Sequence, residues 1–279
     1  MALISVIILT LDEEANLPHA LKSLEGLDCE VHVVDSGSRD RTVEIARAAG
    51  ANVVTHAFES QARQLNRALD TLPITAPWTL RLDADERLSD ELKAESTALL
   101  PSAPDLVAAY MMKRRVYFWG RWIRFGGYYP TWLVRLWRTG KARSEDAWMD
   151  EHMVVADGGH IAKLSHDLID ENHKGLAFWI DKHNRYADRE VKLAVAGLGA
   201  QDADRVGSEI ARRRRLKRSI YGRAPLFVRA VGYWLLRYFV LLGFLDGRAG
   251  FVFHFMQGLW YRLLVDAKLF ELKLRERQQ

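Results

Sequence analysis

The sequence predicts an α/β fold, a mostly parallel sheet flanked by helices, with a helical carboxyl-terminal region after it. Two observations carry the first half: buried-strand patterns alternate with helical ones from residue 4 onward, and acidic residues recur where those strands end. The third is a change of character near residue 212, where a basic run opens into aromatic and aliphatic sequence. Residues 4–9 (ISVIIL) form a continuous β-branched and aliphatic run, as in a parallel strand covered on both faces. Thr10, Leu11, Asp12 and Glu13 follow, and then a helical spacing puts Leu17, Leu21 and Leu24 on one face. Residues 30–34 repeat the strand, with Asp35 at its carboxyl end, SGSRD as a loop, and a helix over 42–49 closed by Gly50. A third strand over 51–55 leads to a helix over about 60–69, and a fourth strand starts at Trp78. Such alternation implies right-handed crossovers and a parallel sheet.

The stretch 78–87 (WTLRLDADER) ends an apolar run in three carboxylates, Asp83, Asp85 and Glu86. A hard cation such as Mg²⁺ or Mn²⁺ takes one or two carboxylates together with the oxygens of a substrate diphosphate. The competing reading is a strand followed by an acidic first helical turn, with Ser89 as cap and Glu91 and Glu95 favouring the helix start. Open sheets bind ligands outside the carboxyl ends of their strands. Asp12, Asp35 and the Asp83 cluster all fall on that edge. No GxGxxG follows the first strand and no GxxxxGK[ST] occurs, so neither a dinucleotide fold nor a P-loop is supported.

Three segments, VIILTLDEEANLPHALKSL, VVDSGSRDRTVEIA and LRLDADER, resemble in order and spacing the successive motifs of the family 2 glycosyltransferases. Further on, WMDEHMVV, KHNRYADRE and GFLDGRAGFVFHFMQGLWYRLLVDAK resemble the bacterial branch that builds lipopolysaccharide core and exopolysaccharide. The resemblance implies the GT-A (Rossmann-like) fold, with a catalytic domain over 1–170 and a helical acceptor or membrane-surface region over 171–279. It implies that Asp35 contacts the nucleotide base and that Thr10, Asp12 and Glu13 line the base and ribose pocket. Asp83 would contact the ribose or the metal, and Asp85 would ligate the Mn²⁺ or Mg²⁺ directly. Members of the family often carry a basic residue just before the Asn of the third helix. Here QARQLNRAL has Leu65 there, and Arg63 is the candidate substitute for a diphosphate contact.

Transfer of a sugar from a nucleoside diphosphate needs a group that takes the acceptor's proton. Asp146, Asp150 and Glu151 stand just before the apolar stretch HMVVA. The resemblance places the base in such a position, with Glu151 preferred and Asp150 second, and implies inversion at the anomeric carbon. His152, His160, His166, His173 and His183 show no HxxxH or HExxH spacing, so a zinc site is not expected. Of these, His166 is the candidate to reach the metal or diphosphate, and a structural or surface role is the preferred reading. Asn184, Arg185 and Tyr186 share one amphipathic helix.

A chain of 279 residues can bury a full α/β core. Its single cysteine, Cys29, points to a reducing, cytosolic compartment, and the amino terminus enters the first strand without a basic segment or cleavage site, so no secretory signal is expected. In the last third, six of the seven residues 212–218 (RRRRLKR) are basic. The apolar run 230–245 is short of the ~20 residues that span a bilayer. With 251–264 it reads as a helical hairpin of interfacial character, carrying Tyr233, Trp234, Tyr238 and Phe239. Internal packing is the competing reading. Nucleic acid is disfavoured, since no recognised module accompanies the run and the net charge is only +4.

The expected protein is an inverting, metal-dependent glycosyltransferase, cytoplasmic and peripheral to the inner membrane. It would move a sugar from a nucleotide donor, a UDP-sugar by expectation, to a lipid-linked glycan, with self-association left open. A two-carboxylate glycoside hydrolase and a non-catalytic membrane adaptor are the alternatives.

Overall fold

The computed structural model describes residues 2–145, 152–196 and 224–278. The chain forms two compact units, Met1–Tyr117 with Pro130–His173, and Phe118–Tyr129 with Lys174–Gln279.

The first unit is built on a mixed sheet. In chain order it contains β1 (Ile4–Thr10), α1 (Leu17–Ser23), β2 (Cys29–Asp35), α2 (Thr42–Ala48), β3 (Asn52–Thr55), α3 (Gln61–Thr71), β4 (Trp78–Asp83), β5 (Glu86–Leu88) and α4 (Asp90–Leu99). The strands β6 (Val107–Phe118), β8 (Thr131–Arg138), β9 (Ala142–Ser144), β10 (Met153–Val155) and β11 (His160–Glu171) follow, with β7 (Arg121–Ile123) in the second unit. The sheet order is β3-β2-β1-β4-β8-β6-β11-β5, and β9 pairs with β10 separately. The β3-β2-β1-β4 portion is parallel, as the alternating pattern predicts, and β6 and β11 also run parallel. The returns to β8 and β5 are antiparallel.

β1 is buried almost throughout because both faces are covered. Ile4, Val6 and Ile8 join Leu17, Leu80 and Leu92 in one core layer, and Ile7 joins Leu65, Ala68 and Trp137 in the other. Two helix starts follow sequence chemistry. Ser60 accepts the Arg63 N–H at 3.2 Å and Ser89 the Leu92 N–H at 3.2 Å, each satisfying an orphan donor of a first turn. Ser89 is thus a helix cap, as one of the two readings of the acidic stretch requires.

The second unit is helical apart from β7. It contains α5 (Gly175–Ala196), α6 (Val228–Leu235), a π-helical turn over Leu236–Val240, a 3-10 turn over Gly243–Asp246, α7 (Gly247–Phe253), a second π-helical segment over His254–Trp260, and α8 (Tyr261–Gln278). Ala187 and Val191 of α5 pack on Tyr261 and Val265 of α8. Arg262 donates to Glu190 at 3.0 Å and Lys268 to Asn184 Oδ1 at 2.7 Å. Asn184 and Tyr186 are therefore turned to this helix pair.

Candidate active site

Strand register brings the acidic strand ends to one edge. Thr10 is level with Asp35, and Leu9 with Asp83. Asp35 is 1% exposed and satisfied from all sides. Oδ1 accepts Thr10 Oγ1 at 3.0 Å and the Ser38 hydroxyl, while Oδ2 accepts the Gly37 and Ser38 N–H groups, each at 2.9 Å. An Asp that bonds N–H groups two and three residues on is a turn former, and Gly37, at φ +92°, supplies the left-handed residue the turn needs.

That loop is stitched to the one after β1. Asp12 N–H donates to Ser38 Oγ at 2.8 Å, and Asp12 Oδ1 accepts Arg39 N–H at 2.7 Å. Asp12 itself adopts φ 55°, a region Asp tolerates better than most residues. Glu13 N–H donates to Thr42 Oγ1 at 2.7 Å, and the Glu13 carboxylate accepts Asn16 Nδ2 at 2.7 Å. Thr10, Asp12, Glu13 and Asp35 are thereby held in one network, with Asp12 the exposed member.

The carboxylates of β4 and β5 meet arginines that the sequence reading does not assign. Asp83 Oδ1 accepts Arg81 Nε at 3.1 Å and Oδ2 accepts Arg135 Nη2 at 2.7 Å. The same Nη2 donates to Glu86 Oε1 at 2.6 Å, and Glu86 Oε2 accepts the Asp83 N–H at 3.0 Å. Arg135 reaches both because β8 is irregular here. Tyr110 pairs with Leu136 but Met111 with Val134, leaving Arg135 as the extra residue of a bulge. Bulges beside functional sites re-aim side chains in this way. Burial opposes ionisation of Asp83, but Arg135 and Arg81 outweigh it and hold its carboxyl well below the usual carboxylate range. Burial pushes Glu86 up to about 7, against the pull of Arg135 and with the Asp83 charge adding to the rise.

Asp85 is held differently. Its Oδ2 accepts Asn172 Nδ2 at 3.0 Å, and its carbonyl accepts Glu171 N–H at 2.9 Å. The next residue, His173, donates its N–H to the buried Asn16 at 2.7 Å and stacks its ring on His19 at 4.2 Å. The carboxyl end of β11 thus ties Asp85 to the loop carrying Glu13. This brings His173 to that edge, beside His19. His166 has the structural or surface role that the sequence prefers for it: it lies within β11 with Nδ1 2.9 Å from Glu95 Oε2, because Glu95 on α4 also caps the Ser165 and His166 N–H groups.

Arg63 sits in the first turn of α3, exposed, with Nη1 3.5 Å from Glu59. One helical step on, Asn66 grips β9 like a neighbouring strand: Nδ2 donates to Ser144 O and Oδ1 accepts Ser144 N–H, both at 2.9 Å. The Glu145 N–H donates to His152 O at 2.9 Å, and Glu145 Oε1 accepts His152 N–H at 3.0 Å. These bonds join Glu145 to His152. Asp146, Asp150 and Glu151 themselves lie outside the described residues.

Among the described residues no group of three or more His, Cys, Asp or Glu is assembled to hold a metal. The donors at the β4 end are carboxylate oxygens, and Asp83 gives both of its own to guanidinium groups. Such a set does not make a complete protein cage. It fits a hard cation that takes Asp85 oxygen from the protein and completes its shell from substrate phosphate and water.

The glycosyl transferase family 2 model matches residues 5–146 of this chain. A glycosyltransferase of Rickettsia typhi is 36% identical over 121 residues, covering 43% of this chain and 41% of that protein. The chain therefore spans about two fifths of the length of such Rickettsia relatives. The lipopolysaccharide core biosynthesis glycosyltransferase LpsC of Rhizobium meliloti is 30% identical over 203 residues, covering 68% of this chain and 72% of LpsC. A solved structure of glucosyl-3-phosphoglycerate synthase from Mycobacterium tuberculosis, in complex with Mn²⁺, uridine diphosphate and glucosyl-3-phosphoglycerate, is 26% identical with a TM-score of 0.32, covering 41% of this chain and 44% of that one. The family match spans just over half of the chain and includes every strand end described above as far as β9; the chain belongs to glycosyl transferase family 2.

Proposed function

We propose that the chain transfers a sugar from a UDP-sugar to a lipid-linked glycan acceptor in the synthesis of cell-envelope polysaccharide, at the cytoplasmic face of the inner membrane, with inversion at the anomeric carbon. The observation that carries the reading is the convergence of Thr10, Asp35, Asp83 and Asp85 on one strand edge within a family 2 domain. Similarity to LpsC supports a cell-envelope acceptor. In this reading the network around Asp12, Glu13 and Asp35 forms the floor of the base and ribose pocket. Arg81 and Arg135 keep Asp83 ionised and fixed. Asp85, with Asp83 beside it, would hold Mn²⁺ or Mg²⁺, whose chemistry is to neutralise charge on the departing diphosphate. Glu151, with Asp150 as second candidate, takes the acceptor proton as the acceptor oxygen bonds the anomeric carbon and the bond from that carbon to the phosphate oxygen breaks. Asn66 is the positioning residue for that segment, through its grip on Ser144.

Screening UDP-, GDP- and dTDP-sugars for slow donor hydrolysis with Mn²⁺ tests the donor class. Hydrolysis of UDP-sugars is expected, and inertness toward all three would contradict the proposal. A glycoside hydrolase would cleave a glycan without any nucleotide, and an adaptor would turn over neither.

A further inference from the structure

Among the described residues, the longest run of exposed large apolar side chains lies in the second unit. From Phe239 to Leu245 the sequence is FVLLGFL, with no polar side chain in it. Phe239 is 51% exposed and Val240 68%, and Leu236, Leu241, Leu242 and Leu245 are all exposed. Soluble domains rarely leave a contiguous face of this kind uncovered.

The polar groups of the same segment are turned inward. Asp246 is 2% exposed. Its carboxylate accepts Arg124 N–H at 3.0 Å, Phe125 N–H at 3.1 Å and His254 Nε2 at 3.2 Å. Arg237 donates to Gly126 O at 2.7 Å and lies 3.8 Å over the Tyr128 ring. Glycines make this packing feasible. A Cβ on Gly126 would lie 2.1 Å from His254 Cε1, and one on Gly250 2.1 Å from Asp246 Cβ. At the start of α6, the fully buried Asp266 accepts Phe227 N–H at 2.7 Å and Arg229 Nε at 2.8 Å. The segment 227–246 is therefore fixed by buried carboxylates at both of its ends, and its apolar outside does not result from loose packing.

We infer that residues 228–255 form a re-entrant wedge that enters one leaflet of an anionic bilayer, with the 239–245 turn as its leading edge. A protein partner would need polar groups to match, since interfaces carry roughly one hydrogen bond per 100–200 Å². The 239–245 side chains offer none, whereas acyl chains require none. No single helix among the described residues is long and apolar enough to cross a membrane, and the pair Val228–Val240 and Gly243–Glu276 is bent by 69°. At 1.5 Å per residue the first arm is about 20 Å long, short of the ~30 Å hydrocarbon core but ample for one leaflet. Charge favours the same partner. The run RRRRLKR at 212–218 precedes the wedge in the sequence and suits anionic headgroups. Tyr233, Trp234 and Tyr238 are aromatics of the type that settle at headgroup depth. The inference names the element that contacts the membrane and so rests, for its purpose, on the lipid-linked acceptor reading above.

The test uses the full chain with Cys29→Ser and an environment-sensitive fluorophore on Val240→Cys, with Arg47→Cys on α2 as the control. Added to phosphatidylglycerol-containing vesicles, the label at 240 should shift to the blue and be quenched by acyl-chain spin labels, and the label at 47 should not respond. A Phe239→Asp, Val240→Asp double variant should lose at least tenfold in vesicle binding with unchanged UDP affinity, which separates loss of the wedge from loss of the donor site. If the protein pellets with vesicles while the 240 label stays in water, the membrane reading stands and the wedge is wrong. If the 240 label shifts only with protein concentration, without lipid, the face joins two copies of the chain and the inference is overturned.

Discussion

Asp35 and Asp246 are buried carboxylates of nearly equal exposure, 1% and 2%, and each collects the backbone N–H groups of a turn. At Asp35 those N–H groups belong to its own loop, two and three residues on. At Asp246 they belong to Arg124 and Phe125, 122 and 121 residues away. Local satisfaction leaves a polar edge that a ligand can share, and distant satisfaction draws the polar atoms inward and leaves an apolar outside. The first unit in this way makes a polar site from strand ends, and the second makes an apolar surface from a helical turn.

The sharpest way to break the comparison is at Asp85. Asp85→Ala should abolish sugar transfer while the fold persists, because alanine keeps the backbone carbonyl that accepts the Glu171 N–H. More than a tenth of wild-type turnover would remove Asp85 from the site. Arg135→Met acts on stability instead. It leaves Asp83 and Glu86 with one guanidinium fewer, and breaking a buried pair from one side costs about 3–5 kcal/mol, read by urea unfolding. A cost under ~1 kcal/mol would mean that water, not Arg135, satisfies the pair. For the base, Glu151→Gln should lower transfer by ~10² with donor binding intact. Should Asp150→Asn be the inactive variant and Glu151→Gln the active one, the base is Asp150.

The smallest effect concerns pH and lies away from both regions. Burial works against ionisation of Glu30, but hydrogen bonds from Ser5 and the Thr75 N–H, with His32 nearby, lower it to about 2. A carboxyl depressed in the folded state adds stability above its unfolded value, near 4.5, that is lost as pH falls toward 2. Glu30→Gln should therefore flatten the decline in stability between pH 4.5 and 2, and an unchanged acid profile would show that other carboxyls dominate it.

The same contrast explains what could be read from the residues alone. β1, β2 and β4 announce themselves as aliphatic runs, and Asp35 and Asp83 are found because strands end there. The capping role of Ser89 follows from local chemistry. Arg135 does not, since its reach to Asp83 and Glu86 depends on a bulge in β8 that no spacing rule marks. Asn172 and Asn16 act through the meeting of β11 with the first loop, a contact between residues more than 150 positions apart. His166 reads as a structural or surface histidine rather than a site residue, and β11 does continue past it to Glu171. The apolar character of 230–245 is plain in the sequence. That Arg237 and Asp246 turn inward is visible only once Gly126 and His254 are brought beside them.

The central claim is that the strand edge of the first unit binds a nucleoside diphosphate with a divalent cation. Calorimetric titration of UDP into the wild-type chain and into Asp85→Ala, each with and without Mn²⁺, measures it without acceptor, membrane or turnover. The account predicts tight binding by the wild type only with Mn²⁺, and loss of most of that metal-dependent gain in Asp85→Ala. Equal affinity with and without Mn²⁺, or an unchanged gain in the variant, would contradict it.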